Sequence, residues 1–484
     1  MKMQAELAGA GQMNEPRKWR GRFIAKILTF AVVLALWPLG GGGSALAEPP
    51  PPPDAFYDRP ERLASFERGE IIRSREVAVN AMQSLPINVQ AWQLLYRTSD
   101  ADGAPDAAVT TVMVPRGVSQ PRALLSYQAA TDSTLRVCGP SYSLVHGAPI
   151  DITNPVGPVT LAAPAAETLL AAAGLAEGWV VAMPDHGSLD DRFLTPHQPG
   201  YAVLDGIRAV TNFHPVGLAG PATPTALWGY SGGAIASSWA IEEHPNYAPE
   251  LNIRGAAFGA PERDLEASLR SSNRSLLAGL IPIALASIGK DAPEFMAEMN
   301  RYLTPQGRDI VARTRNHCAA QNVLNNLWFD YELHLNTPID EILANPVIRR
   351  EIAARGITGR APTVPTYIHN GVSEEVAPIV GTDKLVESYC RGGAPVTYRR
   401  EDFPQNPPRE IFTTHGFIAV SGSPGAFRWL QERLADPSSA PPAGCDIQTL
   451  PSTLLEPGVP ETVVPSFVDN FFAIVGGQAI GAGG

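Results

Sequence analysis

Cysteine is scarce in this chain, with four residues in 484, and none stands in a Cys-x-x-Cys pair or beside histidine at metal-ligand spacing. That argues against a zinc site. Charge is sparing as well: 18% of residues are charged against 44% hydrophobic, which excludes an intrinsically disordered chain. The 46 prolines and 44 glycines follow no period, so collagen-like and solenoid architectures fail. They point instead to many turns and long connections between elements. A chain of this length can bury a large core, enough for one α/β domain with an insertion.

The N-terminus is where positive charge concentrates. Arg17, Lys18, Arg20, Arg22 and Lys26 precede an apolar run from Ile27 to Leu39, followed by small residues that end in Ala45-Leu46-Ala47. The run falls short of the roughly 18–20 residues that span a bilayer, and small-x-small is what a signal peptidase needs. Residues 1–47 therefore read as a cleaved signal peptide of a secreted, extracellular protein, and residues 48–60 as a Pro-rich spacer. No cysteine lies near the cut, which removes a lipid anchor. Cleavage takes away six basic and two acidic groups, leaving 31 and 46 and a formal charge of −15. Such a chain disfavours nucleic acid and anionic membranes as partners.

Beyond the spacer, short apolar runs alternate with helical stretches. Ala107–Pro115, Ala123–Gln128, Trp179–Asp185 and Thr225–Trp228 read as strands, Ala162–Ala176 and Tyr201–Asn212 as helices. That alternation means βαβ units and a mainly parallel sheet. From 263 to 361 the pattern is helical with no strong strand, too long for an ordinary connection, and reads as an inserted cap or lid. Alternation then resumes. The organisation expected is a core in two parts, 61–262 and 362–445, around the cap, with a C-terminal tail over 446–484 that is Pro-rich, then apolar, and frayed at its Gly-rich end.

The strongest chemical signal is Gly229-Tyr230-Ser231-Gly232-Gly233, set between an apolar strand and an apolar helix. Small residues at the crowded positions of a strand–turn–helix resemble the nucleophile elbow of the α/β-hydrolase fold, with Ser231 as nucleophile. In that fold the order along the chain is serine, acid, histidine. His244, His317, His334, His369 and His415 follow Ser231. His415, in the turn-like Thr413-Thr414-His415-Gly416-Phe417 just before the last helix, where a flexible loop can reach the serine, is the candidate base. The acid belongs after a late strand: Glu374 and Glu375 follow Val364–Asn370, with Asp383 and Asp402 as alternatives.

Over nearly the whole length after the leader, the chain resembles the secretory lipase family, the group that includes fungal lipase A. The matching blocks are Tyr127-Gln128 through Asp132, Cys138 to Ser141, Val181 to Gly187 and Tyr201 to Asp205 with Arg208. The elbow, Glu374 to Pro378, Cys390 and His415-Gly416 complete them in order. The resemblance implies an α/β-hydrolase with a mainly parallel central sheet and an inserted helical cap. It also places the catalytic acid on Glu374, where the family has aspartate, and the oxyanion groups on Asp132 and the Gly232 amide. Disulfides Cys138–Cys318 and Cys390–Cys445 are implied too. The activity implied is hydrolysis of acyl esters, of triacylglycerols or other lipids, with no cofactor. The partner expected is a small-molecule lipid or ester substrate, with room for transient contact with a lipid interface; oligomeric state is left open. Acyl transfer by the same serine and a non-catalytic binding module are the alternatives. Leu277–Gly289 is a candidate wall for an acyl tunnel or, equally, a buried cap helix.

Overall fold

Strands rich in Val, Leu and Ala lie at the centre of a ten-stranded sheet. The computed structural model describes residues 54–118, 120–146, 162–435 and 444–481. The strands are β1 (Ile71–Glu76), β2 (Gln90–Ser99), β3 (Pro105–Val114), β4 (Leu124–Gln128) and β5 (Val180–Pro184). They continue as β6 (Thr225–Tyr230), β7 (Ile253–Gly259), β8 (Thr366–Gly371), β9 (Val396–Glu401) and β10 (Cys445–Leu450). Their order is β1-β2-β3-β5-β4-β6-β7-β8-β9-β10. The first three pairings are antiparallel and the other six parallel.

Parallel neighbours need crossovers, and helices supply them on both faces. The helices are α1 (Pro140–His146), α2 (Ala163–Ala176), α3 (Gln198–Thr211), α4 (Gly232–Tyr247) and α5 (Leu265–Ser272). Next come α6 (Leu280–Asp291), α7 (Pro293–Tyr302), α8 (Pro305–Thr314), α9 (Ala319–Asn325) and α10 (Ile339–Ala344). Then follow α11 (Pro346–Ala354), α12 (Ile379–Arg391), α13 (Thr414–Ser421), α14 (Ser423–Ala435) and α15 (Val464–Val475). None is long and apolar enough to cross a membrane. Along β6, Leu227 joins the core packed with α3 and α4, while Trp228 joins the one packed with α2, α14 and α15. Successive strand side chains point to opposite faces, so one strand feeds both layers.

Between β7 and β8 the chain is helical from α5 to α11, as expected for 263–361, and it carries an apolar cluster around Phe295, Ile342 and Ile348. Arg263 ties both ends of this insertion to the core. Its guanidinium donates to the carbonyl of Gly356 at 2.7 Å and to Ser238 Oγ at 2.7 Å, and it pairs with Glu242, both side chains being 0% exposed. It also lies 4.2 Å over the Trp239 ring. Removing one partner of such a buried pair costs about 3–5 kcal/mol, so the hinge points of the insertion are fixed. Two disulfides, Cys138–Cys318 and Cys390–Cys445, match the pairing implied by resemblance. The first joins the segment after β4 to the residue preceding α9, and the second joins α12 to β10.

Much of the tail expected over 446–484 belongs to the fold. Residues 445–450 form the edge strand β10, paired along its length with β9, and α15 buries Phe467 and Ile474 beside Trp228 and Phe427. Cys-Asp-Ile-Gln-Thr-Leu carries too few apolar residues to read as a strand, because an edge strand needs little burial. The signal-peptide segment 1–47 and most of the 48–60 spacer lie outside the described residues.

Ending the chain at Cys445 is therefore expected to abolish folding. Val463, Phe467, Ile474 and Ile480 are all buried in one core cluster. Losing even one large core side chain costs about 2–5 kcal/mol, against a total stability of about 5–15 kcal/mol. Calorimetry of the truncated chain is expected to show no cooperative transition; a melting point near that of the full chain would contradict this assignment.

Candidate active site

The site begins with a strained turn. β6 ends at Tyr230, and Ser231 adopts φ +54°, ψ −123° before α4 starts at Gly232. A non-glycine residue there costs about 1–3 kcal/mol. Flanking hydrogen bonds hold it, from Ser231 N to the Gly259 carbonyl at 3.0 Å and from Ile235 N to the Ser231 carbonyl at 3.1 Å. Residue 233 must be glycine, since a Cβ would lie 1.9 Å from the carbonyl of Gln128 at the end of β4. The elbow thus presents Oγ at the N-terminal pole of α4, at the C-terminal edge of the parallel strands.

Ser231 Oγ lies 2.8 Å from His415 Nε2, and His415 Nδ1 lies 2.9 Å from Glu374 Oε1. The same carboxylate oxygen accepts from the amides of Val376 at 2.9 Å and Ala377 at 3.3 Å, which fixes its orientation. With Nδ1–H donating to Glu374, Nε2 is free to accept the serine proton. His415 stands in the first turn of α13 rather than in a flexible turn before the last helix. The run Thr413-Thr414-His415-Gly416 is a helix start whose Thr413 Oγ1 accepts from Gly416 N at 3.0 Å. Tyr230 adds a hydrogen bond to the His415 carbonyl at 2.8 Å, linking elbow and base.

The neighbouring glutamates face different ways. Glu375 Oε2 accepts from the amides of Thr414 at 3.1 Å and His415 at 3.2 Å, so it caps α13 rather than touching the imidazole. A carboxylate suits the positive end of a helix. Of the other candidates, Asp383 accepts from Tyr398 and Arg400, and Asp402 from Gln405. His369 is buried in β8 beside Glu401, His244 bonds the Leu251 carbonyl, and His317 and His334 belong to the insertion. Of these five histidines, His415 is the one that reaches Ser231.

Electrostatics follow from the crowding of acids. Burial alone would lower the His415 pKa, but the charge and hydrogen bond of Glu374, backed by Glu262 and Glu375, lift it to about 9. Burial pushes Asp132 up to about 6, against the opposing pull of His415. Asp132 has φ +43°, and its Oδ1 has no hydrogen-bond partner among the described residues. That oxygen sits where a Cβ on Gly232 would be, 1.8 Å away, so it lies directly over the start of α4.

Sequence reasoning missed Glu262, whose Oε1 lies 3.1 Å from Ser231 Oγ. In Pro261-Glu262-Arg263-Asp264 it looks like one loop charge among several, and no motif marks it. Asp132 and Glu262 also line an apolar cavity, part of it open to solvent, walled by Leu280, Ile281, Ala284 and Leu285 of α6. A second, smaller cavity shares Leu269, Ile281, Leu285, Phe295 and Ile352 with the first and runs on into the insertion. Among the described residues no group of His, Cys, Asp or Glu is arranged to hold a metal ion.

The family model for secretory lipases matches residues 157–440, more than half of the chain. A protein of Mycobacterium tuberculosis (strain CDC 1551 / Oshkosh) named probable inactive lipase is 36% identical over 79% of this chain and 82% of its own length. Lipase A of Arthroderma benhamiae is 32% identical over 87% of both chains. The X-ray structure of Candida antarctica lipase A in its closed state superposes with a TM-score of 0.72, covering 90% of this chain and 98% of that one at 24% identity. The shared architecture is the α/β-hydrolase fold.

Because the raised pKa of His415 comes chiefly from Glu374, Glu374→Gln is expected to move the imidazole titration to lower pH by about 1–3 units. Glu375→Gln leaves Glu374 in place and shifts it less, while the weakened cap lowers stability by about 1 kcal/mol. The downfield Nδ1–H proton resonance of His415, followed against pH, checks both. A larger shift in the Glu375 variant would exchange their assignments.

Proposed function

Because the chain belongs to the secretory lipase family, we propose that it is an exported serine hydrolase cleaving acyl esters of lipids, triacylglycerols among them, through an acyl-enzyme on Ser231. The observation that carries this reading is the unbroken hydrogen-bonded chain Ser231–His415–Glu374. His415 takes the serine proton as Oγ attacks the ester carbonyl, and Glu374 stabilises the imidazolium that forms. His415 then protonates the departing alcohol, and water reverses the sequence to release the acid.

The negative charge that develops on the carbonyl oxygen meets the Gly232 N–H and Asp132. Asp132 holds its proton to higher pH than an ordinary carboxyl, and a nearby oxyanion raises that affinity further, so it serves as donor. The cavity under α6 takes the acyl chain, which gives Leu277–Gly289 the role of tunnel wall. The helical insertion acts as the lid that shields this cavity, and the N-terminal 47 residues direct export.

A non-catalytic role is the second reading, favoured by one observation: a relative at 36% identity is named a probable inactive lipase. The two readings separate on one residue. Ser231→Ala is expected to lower kcat for p-nitrophenyl butyrate by roughly 10⁴-fold or more with an unchanged melting temperature. Retention of a tenth of the activity would remove Ser231 as nucleophile, and an inactive wild type would favour binding. Glu374→Gln is expected to lower kcat by orders of magnitude, Glu375→Gln by less than about tenfold.

Ala284→Phe fills the cavity beside α6. It is expected to lower kcat/KM for p-nitrophenyl palmitate by at least about tenfold while changing butyrate less than about threefold. Equal losses on both esters would place the acyl chain elsewhere.

A further inference from the structure

Asp132 lies beyond the reach of its own strand. β4 leaves the ladder after Gln128, whose partner in β6 is Gly229, and Asp132 follows in a loop with φ +43°. On the way, the peptide unit between Ala129 and Ala130 is gripped from two sides. Its carbonyl accepts from His186 Nε2 at 2.8 Å, and its N–H donates to Glu167 Oε1 at 3.1 Å. His186 is buried in the turn after β5, and its own carbonyl accepts from Gln198 Nε2, at the start of α3, at 2.9 Å. Glu167 stands on α2, and its second oxygen accepts from the Tyr127 hydroxyl of β4 at 2.9 Å.

Ester hydrolysis as described above gives Glu167 no task, and packing alone does not call for it. Its neighbours on α2, Leu169, Ala171 and Ala172, belong to the apolar core that holds Tyr127 and Ala129. A carboxyl turned toward such a core is costly unless hydrogen bonds compensate it, and a leucine would fill the place without that cost. What the carboxyl does is join the end of β4, through Tyr127, to the first peptide beyond it, through Ala130. Gln128, between the two, docks on α4: its Oε1 accepts from Ser237 Oγ at 2.9 Å, and its carbonyl leaves no room for a Cβ at Gly233. Glu167 therefore braces the path to Asp132 against the helix whose first amide, that of Gly232, is the other oxyanion donor.

We propose that Glu167 is a positioning residue for the oxyanion site: with His186 it grips the peptide between Ala129 and Ala130, and so sets the place from which Asp132 meets the developing charge. This rests on the reading of Asp132 and Gly232 as oxyanion donors. Glu167 bonds Tyr127 and Ala130 rather than any member of the triad, so it acts through Asp132. Its bond to the Ala130 amide needs one accepting oxygen, which a carboxylate, a carboxylic acid and a glutamine all supply. The role is one of geometry, and a group displaced by about 1 Å at a reacting centre can cost about 100-fold in rate.

The test is a double-mutant cycle on the full chain, with kcat and KM measured for p-nitrophenyl butyrate. Glu167→Leu is expected to lower kcat by about 10–100-fold while KM changes less than about threefold, since the transition state loses its donor and substrate binding is left alone. Glu167→Gln is expected to keep kcat within about fivefold of wild type, because it restores the bond to Ala130. On an Asp132→Ala background, Glu167→Leu is expected to cost less than about threefold more, because the group it places is gone.

A loss on that background as large as in the wild type overturns the positioning role. So does a loss carried by KM, or a Glu167→Gln variant as slow as Glu167→Leu. If Glu167→Leu fails to fold, Tyr127→Phe, which frees one end of the brace, repeats the cycle. Its kcat is expected to fall by about 3–10-fold alone and by less than about twofold on the Asp132→Ala background, and equal falls in both overturn the role. Ser231→Ala, run alongside, separates the two claims: activity surviving there removes the nucleophile reading, whereas an inactive Ser231→Ala beside an additive cycle removes only the role of Glu167.

Discussion

The parallel pairing of β4, β6, β7 and β8 is the constraint on which the site depends. Four adjacent strands running the same way bring their C-terminal ends to one edge, so the loops that leave them converge. Asp132 follows β4, Ser231 follows β6, Glu262 follows β7 and Glu374 follows β8. Only His415 arrives from a helix, and that helix starts against Glu375 and is tied to Tyr230. The strain at Ser231 is tolerated because β7 and α4 hold its backbone from both sides.

Adjacent residues in these loops divide the work by pointing apart. Glu374 meets the imidazole while Glu375 caps the helix that carries it. Glu262 meets the serine while Arg263 clamps both ends of the insertion against α4. An extended segment forces such divergence, since consecutive side chains cannot share a face. The site therefore holds several carboxyl groups around one imidazole, each with its own hydrogen-bond partner or cavity. Burial raises the proton affinity of Asp132, Glu262 and Glu375, which is how so many acids coexist at close range.

The helical insertion links this polar edge to an apolar interior. Its helix α6 walls the cavity that opens at Asp132 and Glu262, and the deeper cavity lies among the insertion's own apolar residues. Anchoring by Arg263 and by Cys138–Cys318 keeps that wall in register with the serine. A charge buried at the hinge and a lipid-like cavity a few residues away are compatible because Arg263 is fully satisfied by Glu242, Ser238 and Gly356.

By itself the sequence determined the elbow, the alternation of strands and helices and the helical insertion, and it pointed to a serine, acid, histidine order. These are local properties: periodicity, small residues at a crowded turn, and spacing along the chain. Family resemblance narrowed the acid to Glu374 and paired the cysteines. Tertiary structure alone decided three further matters. It gave Glu375 its place at the start of α13, because direction on a loop depends on where that helix docks. It made an edge strand of 445–450 and a core helix of 464–475, because a strand half open to solvent needs few apolar residues and gains its order from its neighbour. And it brought Glu262 to the serine, because two residues 31 positions apart meet only when β6 and β7 pair side by side.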